Sequence, residues 1–306
     1  MSHSPDSWPF VHPMQSLLSY YRSLNTMMDY VFYDCGALTE RERHQLTHST
    51  TSEGAILEVY PRRADERIVR HGRKEILHRL RRGEGKSLPR SVVVAGVGSS
   101  DLGAAALARN VADHLDAPVM AVVSGYGMAD LVTEGLGGWF VLGAANRARD
   151  AVARSLQPMQ AAASLVEPLL EHSLEKFIVG SPDSTTLLEM MLAAPDHLTL
   201  MVGHSKGNFS IENALEGVAR LHHAHKTPLP RLTIVTLGAM IHFPPDFPEA
   251  HQVMGAMDSF GWINSTKVPQ LQPIPYWGAT HSLNPAWFAS MRVAKALELA
   301  GIPPAG

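Results

Sequence analysis

Short apolar runs alternate with amphipathic stretches through the middle of the chain. The runs are SVVVAGV from residue 91, PVMAVV from 118, HLTLMV from 197 and RLTIVTL from 231, and stretches at helical spacing, such as FSIENALEGVARL, follow some of them. Continuous apolar strands are typical of a parallel sheet that is covered by helices on both faces. The pattern predicts an α/β fold with a mostly parallel central sheet.

The first 85 residues show a different pattern. Residues 13–34 carry apolar side chains at helical spacing, which predicts an amphipathic helix packed on the core; a lipid surface or a second copy of the chain is the alternative cover. Residues 61–90 are dense in Arg and Lys and predict a solvated helix and a linker. We therefore divide the chain into an N-terminal helical extension, 1–85, and a core, 86–306.

A long connection separates the second predicted strand from the third. It spans about 128–195, far more than one crossover helix requires, and it contains one strand-like run and helical patterns at 151–178 and 183–193. We interpret it as an insert that forms a cap or lid, with an extra layer of sheet and helix as the alternative.

Composition excludes several classes of partner. Among 306 residues, 18% are charged and the net charge is −3, which argues against nucleic acid. Cys35 is the single cysteine, so an internal disulfide and a cysteine-rich metal site are excluded and a reducing compartment is favoured. The sequence begins with no leader-like segment and holds no apolar run of membrane-spanning length, which favours a cytoplasmic location.

The pentapeptide Gly203-His204-Ser205-Lys206-Gly207 matches the G-x-S-x-G pattern of a nucleophile turn. It stands where the apolar run LTLMV gives way to a helical pattern, and the chemistry needs such a sharp turn to lift a serine hydroxyl above the sheet. Ser205 is therefore the candidate nucleophile.

A serine nucleophile also needs amide donors for the oxyanion of its intermediate. The amide of Lys206 is one predicted donor, because it follows the nucleophile. The segment GVGSSD at 96–101 is the predicted source of the second, with Ser99 preferred and Gly98 or Ser100 as alternatives. Asp101 in place of the third glycine disfavours a dinucleotide site, so no cofactor is predicted.

Position along the chain selects the base and the acid. His281 lies in a Gly/Asn/Pro-containing loop after the last predicted strand, QLQPIPY, and before a terminal helical pattern. Asp258 ends the apolar stretch HQVMGAMD and is the preferred acid; Asp246, in a Pro-rich loop after the preceding strand, is the alternative. The order Ser205, Asp258, His281 is the order that α/β-hydrolases use.

The cluster HHAH at 222–225 is a weak metal candidate. Adjacent helical side chains point apart, and no Asp, Glu or Cys stands near it in sequence, so no metal site is predicted.

The segments GHSKGN, TLGAMIHFP, GAMDSFGWINS and WGATHSLNP resemble those of lipase-like α/β-hydrolases related to class 3 lipases, in architecture over about residues 90–300. The resemblance implies the α/β-hydrolase fold, with Ser205 as nucleophile, Asp258 as acid and His281 as base.

These features predict a serine hydrolase that cleaves a carboxylic ester of lipid, polyester or thioester type through an acyl-enzyme. An acyltransferase that uses the same triad and a non-catalytic binding protein on a hydrolase scaffold are the alternatives.

Overall fold

The computed structural model describes residues 26–47, 54–63, 67–96, 99–124, 181–266 and 272–305. They form an eight-stranded sheet with helices on both faces, so the chain belongs to the α/β class. Within these residues no helix is long and apolar enough to cross a membrane.

The strand order in the sheet is β2-β1-β4-β3-β5-β6-β7-β8. The six strands from β4 to β8 in this order run parallel to one another, whereas β1 is antiparallel to both β2 and β4. The strands are β1 (Ile56–Val59), β2 (Ile68–His71), β3 (Ser91–Val94), β4 (Val119–Val122), β5 (Leu200–His204), β6 (Thr233–Leu237), β7 (Ala250–Gly255) and β8 (Ile274–Tyr276).

Helices and short helical turns complete the described fold. The helices are α1 (Glu40–Thr47), α2 (Arg73–Arg81), α3 (Asp101–Leu115), α4 (Pro182–Ala193), α5 (Gly207–His225), α6 (Ser259–Asn264) and α7 (Val293–Leu299). Residues 26–32 are also helical, and Cys35–Ala37 and Glu84–Ser87 are 3₁₀ turns.

Two apolar clusters, one on each face of the sheet, hold these layers together. On one face, residues of α3 and α7 such as Leu102 and Leu297 pack with Val93 and Val202. On the other face, α2, α4 and α5 contribute residues that pack against Val94 and Met201. Burial on both faces explains why β3 and β5 read as continuous apolar runs in the sequence.

The structure differs from the predicted division at residue 85. Residues 56–59 and 68–71, assigned to a helical extension, form two strands of the same sheet as the core. Helix α2, predicted as a solvated basic helix, buries Ile76, Leu77 and Leu80. Of the predicted insert, helix α4 is described, whereas the predicted strand and the helix at 151–178 lie outside the described residues.

The turn from β5 into α5 sets where the nucleophile candidate lies. A Cβ atom on Gly207, the first residue of α5, would overlap the carbonyl oxygen of Ala95 and lie 2.5 Å from that of Val94. Both are backbone atoms at the end of β3, so neither can turn away. A glycine at 207 therefore permits α5 to start directly against the end of the neighbouring strand.

We expect Gly207→Ala to lower the free energy of unfolding by about 2 kcal/mol or more, because a methyl group there is forced against fixed backbone. Urea denaturation followed by circular dichroism measures the loss. Gly72→Ala is the matched control, since a Cβ at Gly72 meets nothing within 4 Å; it should cost less than about 1 kcal/mol. Equal losses in the two variants would contradict the steric argument.

Candidate functional site

Ser205 occupies a strained position between β5 and α5. Its φ is 54°, in the left-handed region that residues with a Cβ rarely adopt. Its N–H donates to the carbonyl of Leu237 at 2.9 Å, which fastens the turn to the end of β6. The hydroxyl consequently stands at the carboxyl edge of the parallel sheet, beside Gly96 at the end of β3.

Ser205, His281 and Asp258 form a continuous chain of hydrogen bonds. The Oγ of Ser205 lies 2.9 Å from Nε2 of His281, and Nδ1 of His281 lies 2.8 Å from Oδ2 of Asp258. The Asp258 side chain is inaccessible to solvent and that of His281 is 8% exposed. The structure thus brings together the three residues that the sequence singled out from elements far apart in the chain.

The environment of Asp258 determines which ring nitrogen of His281 carries the proton in this series of hydrogen bonds. Its Oδ1 accepts the N–H of Gly261 at 2.6 Å. Because a carboxylate can only accept, Nδ1 of His281 is the donor in the hydrogen bond to Oδ2. A neutral imidazole with hydrogen on Nδ1 carries its lone pair on Nε2, which then accepts the hydroxyl of Ser205. The arrangement can remove a proton from Ser205 and so generate a nucleophile.

Aromatic rings fix the His281 imidazole from several sides. The ring centres of Phe260, His204 and Phe32 lie 4.8, 4.9 and 5.8 Å from its own. Gly238, with φ of 70°, closes another side: a Cβ there would lie 3.2 Å from His281 and 3.3 Å from Nε2 of His204. The imidazole is therefore held in one orientation by packing as well as by Asp258.

The loop that follows His281 is tied to the helical residues 26–32. Leu283 N donates to Phe32 O at 2.8 Å, Ser282 Oγ donates to Val31 O at 2.8 Å, and Asn284 Nδ2 donates to Tyr30 O at 2.7 Å. These carbonyls stand at the end of the helical segment, where backbone acceptors lack partners within the helix. Residues near the N-terminus thus form one wall of the site.

Asp29 lies buried beneath the turn that joins β3 to α3. It accepts the hydroxyl of Ser99 at 3.0 Å, and the amide and hydroxyl of Ser100 at 3.0 and 2.5 Å. Burial raises the pKa of Asp29 to about 7, and the hydrogen bonds from Ser100 and Ser99 oppose that rise. Ser100 in turn caps α3 by accepting the N–H of Leu102 at 3.1 Å.

The structure differs from the sequence analysis at the predicted oxyanion donor Ser99. Its amide donates to Gly96 O at 3.1 Å, and the amide of the alternative, Ser100, donates to Asp29. An amide that is already donating within its own turn is not directed at a substrate oxygen. Gly98, the other alternative, lies outside the described residues. Lys206 directly follows Ser205 at the start of α5, so its amide remains a predicted donor.

The remaining candidate residues lie apart from the hydrogen bonds that join Ser205, His281 and Asp258. Oδ2 of Asp246, the alternative acid, lies 3.2 Å from Nε2 of His223 on the exposed end of α5. Nδ1 of His222 donates to Thr227 O at 2.7 Å. The carboxylate of Asp246 is thus occupied away from His281, and the histidines at 222 and 223 make separate contacts.

Sequence reasoning missed three polar residues behind the site: Asp29, Tyr33 and His204. Asp29 and Tyr33 interrupt an apolar helical pattern one turn apart, which was the single available signal. Each is at most 3% exposed in the structure. His204 lies inside the G-x-S-x-G turn, and no sequence pattern marks it as a contact of His281.

Comparisons with known proteins add no relative. No family model matches the chain, and no curated protein or solved structure shows significant similarity to it.

The raised pKa of Asp29 predicts a pH-dependent stability. The unfolded chain releases this proton near pH 4 and the folded chain near pH 7, so between these values the folded state holds the extra proton. Rising pH therefore lowers the free energy of unfolding of the wild type relative to Asp29→Asn, by about 1.4 kcal/mol per pH unit at most, and the difference levels off above about pH 7. Urea denaturation from pH 5 to 8 measures it.

Asp113→Asn, which removes a carboxylate from a surface ion pair with Arg62, is the control. Its difference from the wild type should stay nearly constant over the same range. A constant difference for Asp29→Asn as well would show that Asp29 is ionised throughout.

Proposed function

We propose that the chain is a serine hydrolase with the α/β-hydrolase fold that cleaves a carboxylic ester. The observation that carries the proposal is the chain of hydrogen bonds from Ser205 through His281 to Asp258, which starts at a left-handed residue between a strand and a helix. The mostly parallel sheet supports it, as does the order of the residues in the chain, nucleophile, acid and then base.

The first half of the proposed reaction transfers the acyl group to Ser205. His281 takes the hydroxyl proton on Nε2 while Oγ attacks the ester carbonyl, giving a tetrahedral oxyanion. Collapse of this intermediate breaks the bond to the alcohol, which receives the proton from Nε2. Asp258 remains ionised and stabilises the imidazolium that exists between the two proton transfers.

The second half releases the acyl group. Water replaces the alcohol, gives a proton to Nε2 of His281 and attacks the acyl carbon, so that a carboxylic acid leaves and Ser205 recovers its proton. The amide of Lys206 is the proposed oxyanion donor in both halves, since it follows the nucleophile at the start of a helix.

Exposed apolar side chains close in sequence to the acid and base favour an ester with an apolar group. Met257 precedes Asp258 and is 57% exposed, and Trp277 and Phe288 in the segments around His281 are 80% and 97% exposed. Apolar surface of this kind is suited to contact with an acyl chain. The substrate class we propose is therefore an ester of lipid or polyester type.

We expect wild-type protein to react with a fluorophosphonate probe and Ser205→Ala to lose the reaction completely, because the probe captures an activated serine hydroxyl. Gel fluorescence and mass spectrometry of the labelled peptide measure this. Ser210→Ala, on helix α5 that follows Ser205, removes a hydroxyl that donates to Asp183 and should label like the wild type.

Hydrolysis of a p-nitrophenyl ester chain-length series runs beside the labelling, and product analysis with an added alcohol separates transfer to water from transfer to the alcohol. Persistent labelling of folded Ser205→Ala, or wild-type protein that never labels, would overturn the proposed nucleophile.

The two candidate acids, Asp258 and Asp246, predict opposite rankings of the kcat loss caused by an Asp→Asn substitution. Asp258→Asn should lower kcat by about 10⁴, because an amide no longer holds His281 with hydrogen on Nδ1. Asp246→Asn should leave kcat within about twofold, since its carboxylate contacts His223. Initial rates on the best p-nitrophenyl ester measure both. The reverse ranking would move the acid to the loop after β6.

A further inference from the structure

Tyr33 and His204 connect the turn after β3 to the candidate base. The N–H of Gly96 donates to the Tyr33 hydroxyl oxygen at 2.6 Å, and that oxygen lies 3.0 Å from Nδ1 of His204. Nε2 of His204 lies 3.1 Å from the carbonyl oxygen of His281 itself. Four segments distant in sequence are thus joined by one line of hydrogen bonds.

The direction of every bond in this line follows from its two ends. Gly96 N–H can only donate, so Tyr33 accepts there and uses its own proton elsewhere; the His281 carbonyl can only accept, so Nε2 of His204 carries hydrogen. A neutral His204 then accepts the Tyr33 proton on Nδ1. Burial, followed by the nearby His281, keeps the pKa of His204 well below 6.5, and burial raises the pKa of Tyr33, so both stay neutral.

His204 is unsuited to be the base. Both of its ring nitrogens are engaged and it is 1% exposed. Its ring instead packs on the ring of His281 and edge-on to that of Tyr33, with centres 4.9 and 5.3 Å away. The imidazole therefore touches the base at two places, the backbone carbonyl and the ring.

We propose that Tyr33 and His204 are positioning residues that hold the backbone and ring of His281 so that Nε2 meets the hydroxyl of Ser205. The inference rests on the proposed function, because it assigns a supporting pair to the same site. Proton transfer requires His281 within hydrogen-bond reach of Ser205, and a misplacement of about 1 Å can cost about 100-fold in rate. The hydrogen bond to the carbonyl acts on the residue that carries the reacting nitrogen.

The test measures the kinetics of fluorophosphonate labelling in Tyr33→Phe, His204→Phe and His204→Gln, with the amount of folded protein fixed by circular dichroism and thermal unfolding. We expect the two Phe variants to lower the maximal labelling rate by about 10- to 100-fold with little change in the concentration for half-maximal rate. His204→Gln keeps an N–H for the His281 carbonyl and should recover part of the rate.

Tyr60→Phe is the matched control. It removes a tyrosine hydroxyl that donates to Glu58 at 2.7 Å near the sheet edge, and it should label like the wild type. The double variant Tyr33→Phe/His204→Phe should lose little more than the more impaired single variant, because the two residues act in one line.

The outcomes separate this inference from the proposed function. If the wild type labels at Ser205 and both Phe variants label at its rate, with or without a lower unfolding temperature, the positioning role is overturned while the hydrolase proposal stands. Losses that multiply in the double variant, or no recovery in His204→Gln, also overturn it. A wild type that never labels overturns both.

Discussion

The left-handed backbone at Ser205 is the constraint on which the site depends. A non-glycine residue in this conformation costs of order 1–3 kcal/mol and persists only where its surroundings enforce it. Here the enforcement comes from both neighbours in the sheet: the Ser205 amide donates to Leu237 at the end of β6, and Gly207 starts α5 against the end of β3. The parallel sheet thus presents the hydroxyl in one place, and every other part of the site has to reach it there.

The segment that carries His281 has to cross part of the sheet to contact the hydroxyl of Ser205. His281 follows β8, which lies three strands from β5, and neighbouring strands are about 4.8 Å apart, so the chain must return by about 14 Å. The loop is anchored in the core by the buried side chains of Ala279, Leu283 and Met291. Hydrogen bonds to the carbonyls of residues 30–32, rings from Phe32 and Phe260, and Asp258 then fix the loop and its imidazole at the site.

Elements with strong local signals could be predicted from sequence. The apolar runs of β3 to β6 and the turn around Ser205 are such elements, and the α/β class followed from them. Strands β1 and β2 were not predicted because their segments, ILEV and IVRH, are short and carry charged residues. The role of Asp29 could not be predicted because it depends on contacts with Ser99 and Ser100, 70 and 71 residues away, which no local sequence pattern encodes. The direction of the Ser99 amide could not be predicted because turn geometry, not residue type, decides where an amide points.

These contacts also change how the first part of the chain relates to the rest. A division at residue 85 treats the preceding residues as an attachment, yet Asp29 and Tyr33 accept the amides of Ser100 and Gly96 inside the core. Without these acceptors, buried donors would lose their partners at about 1–3 kcal/mol each, against a total stability of about 5–15 kcal/mol for a typical domain. A few such losses reach the stability of the whole fold. The polar residues of 26–33 and the turn after β3 therefore form one structural unit, and this unit also binds the loop after His281 through the carbonyls of residues 30–32.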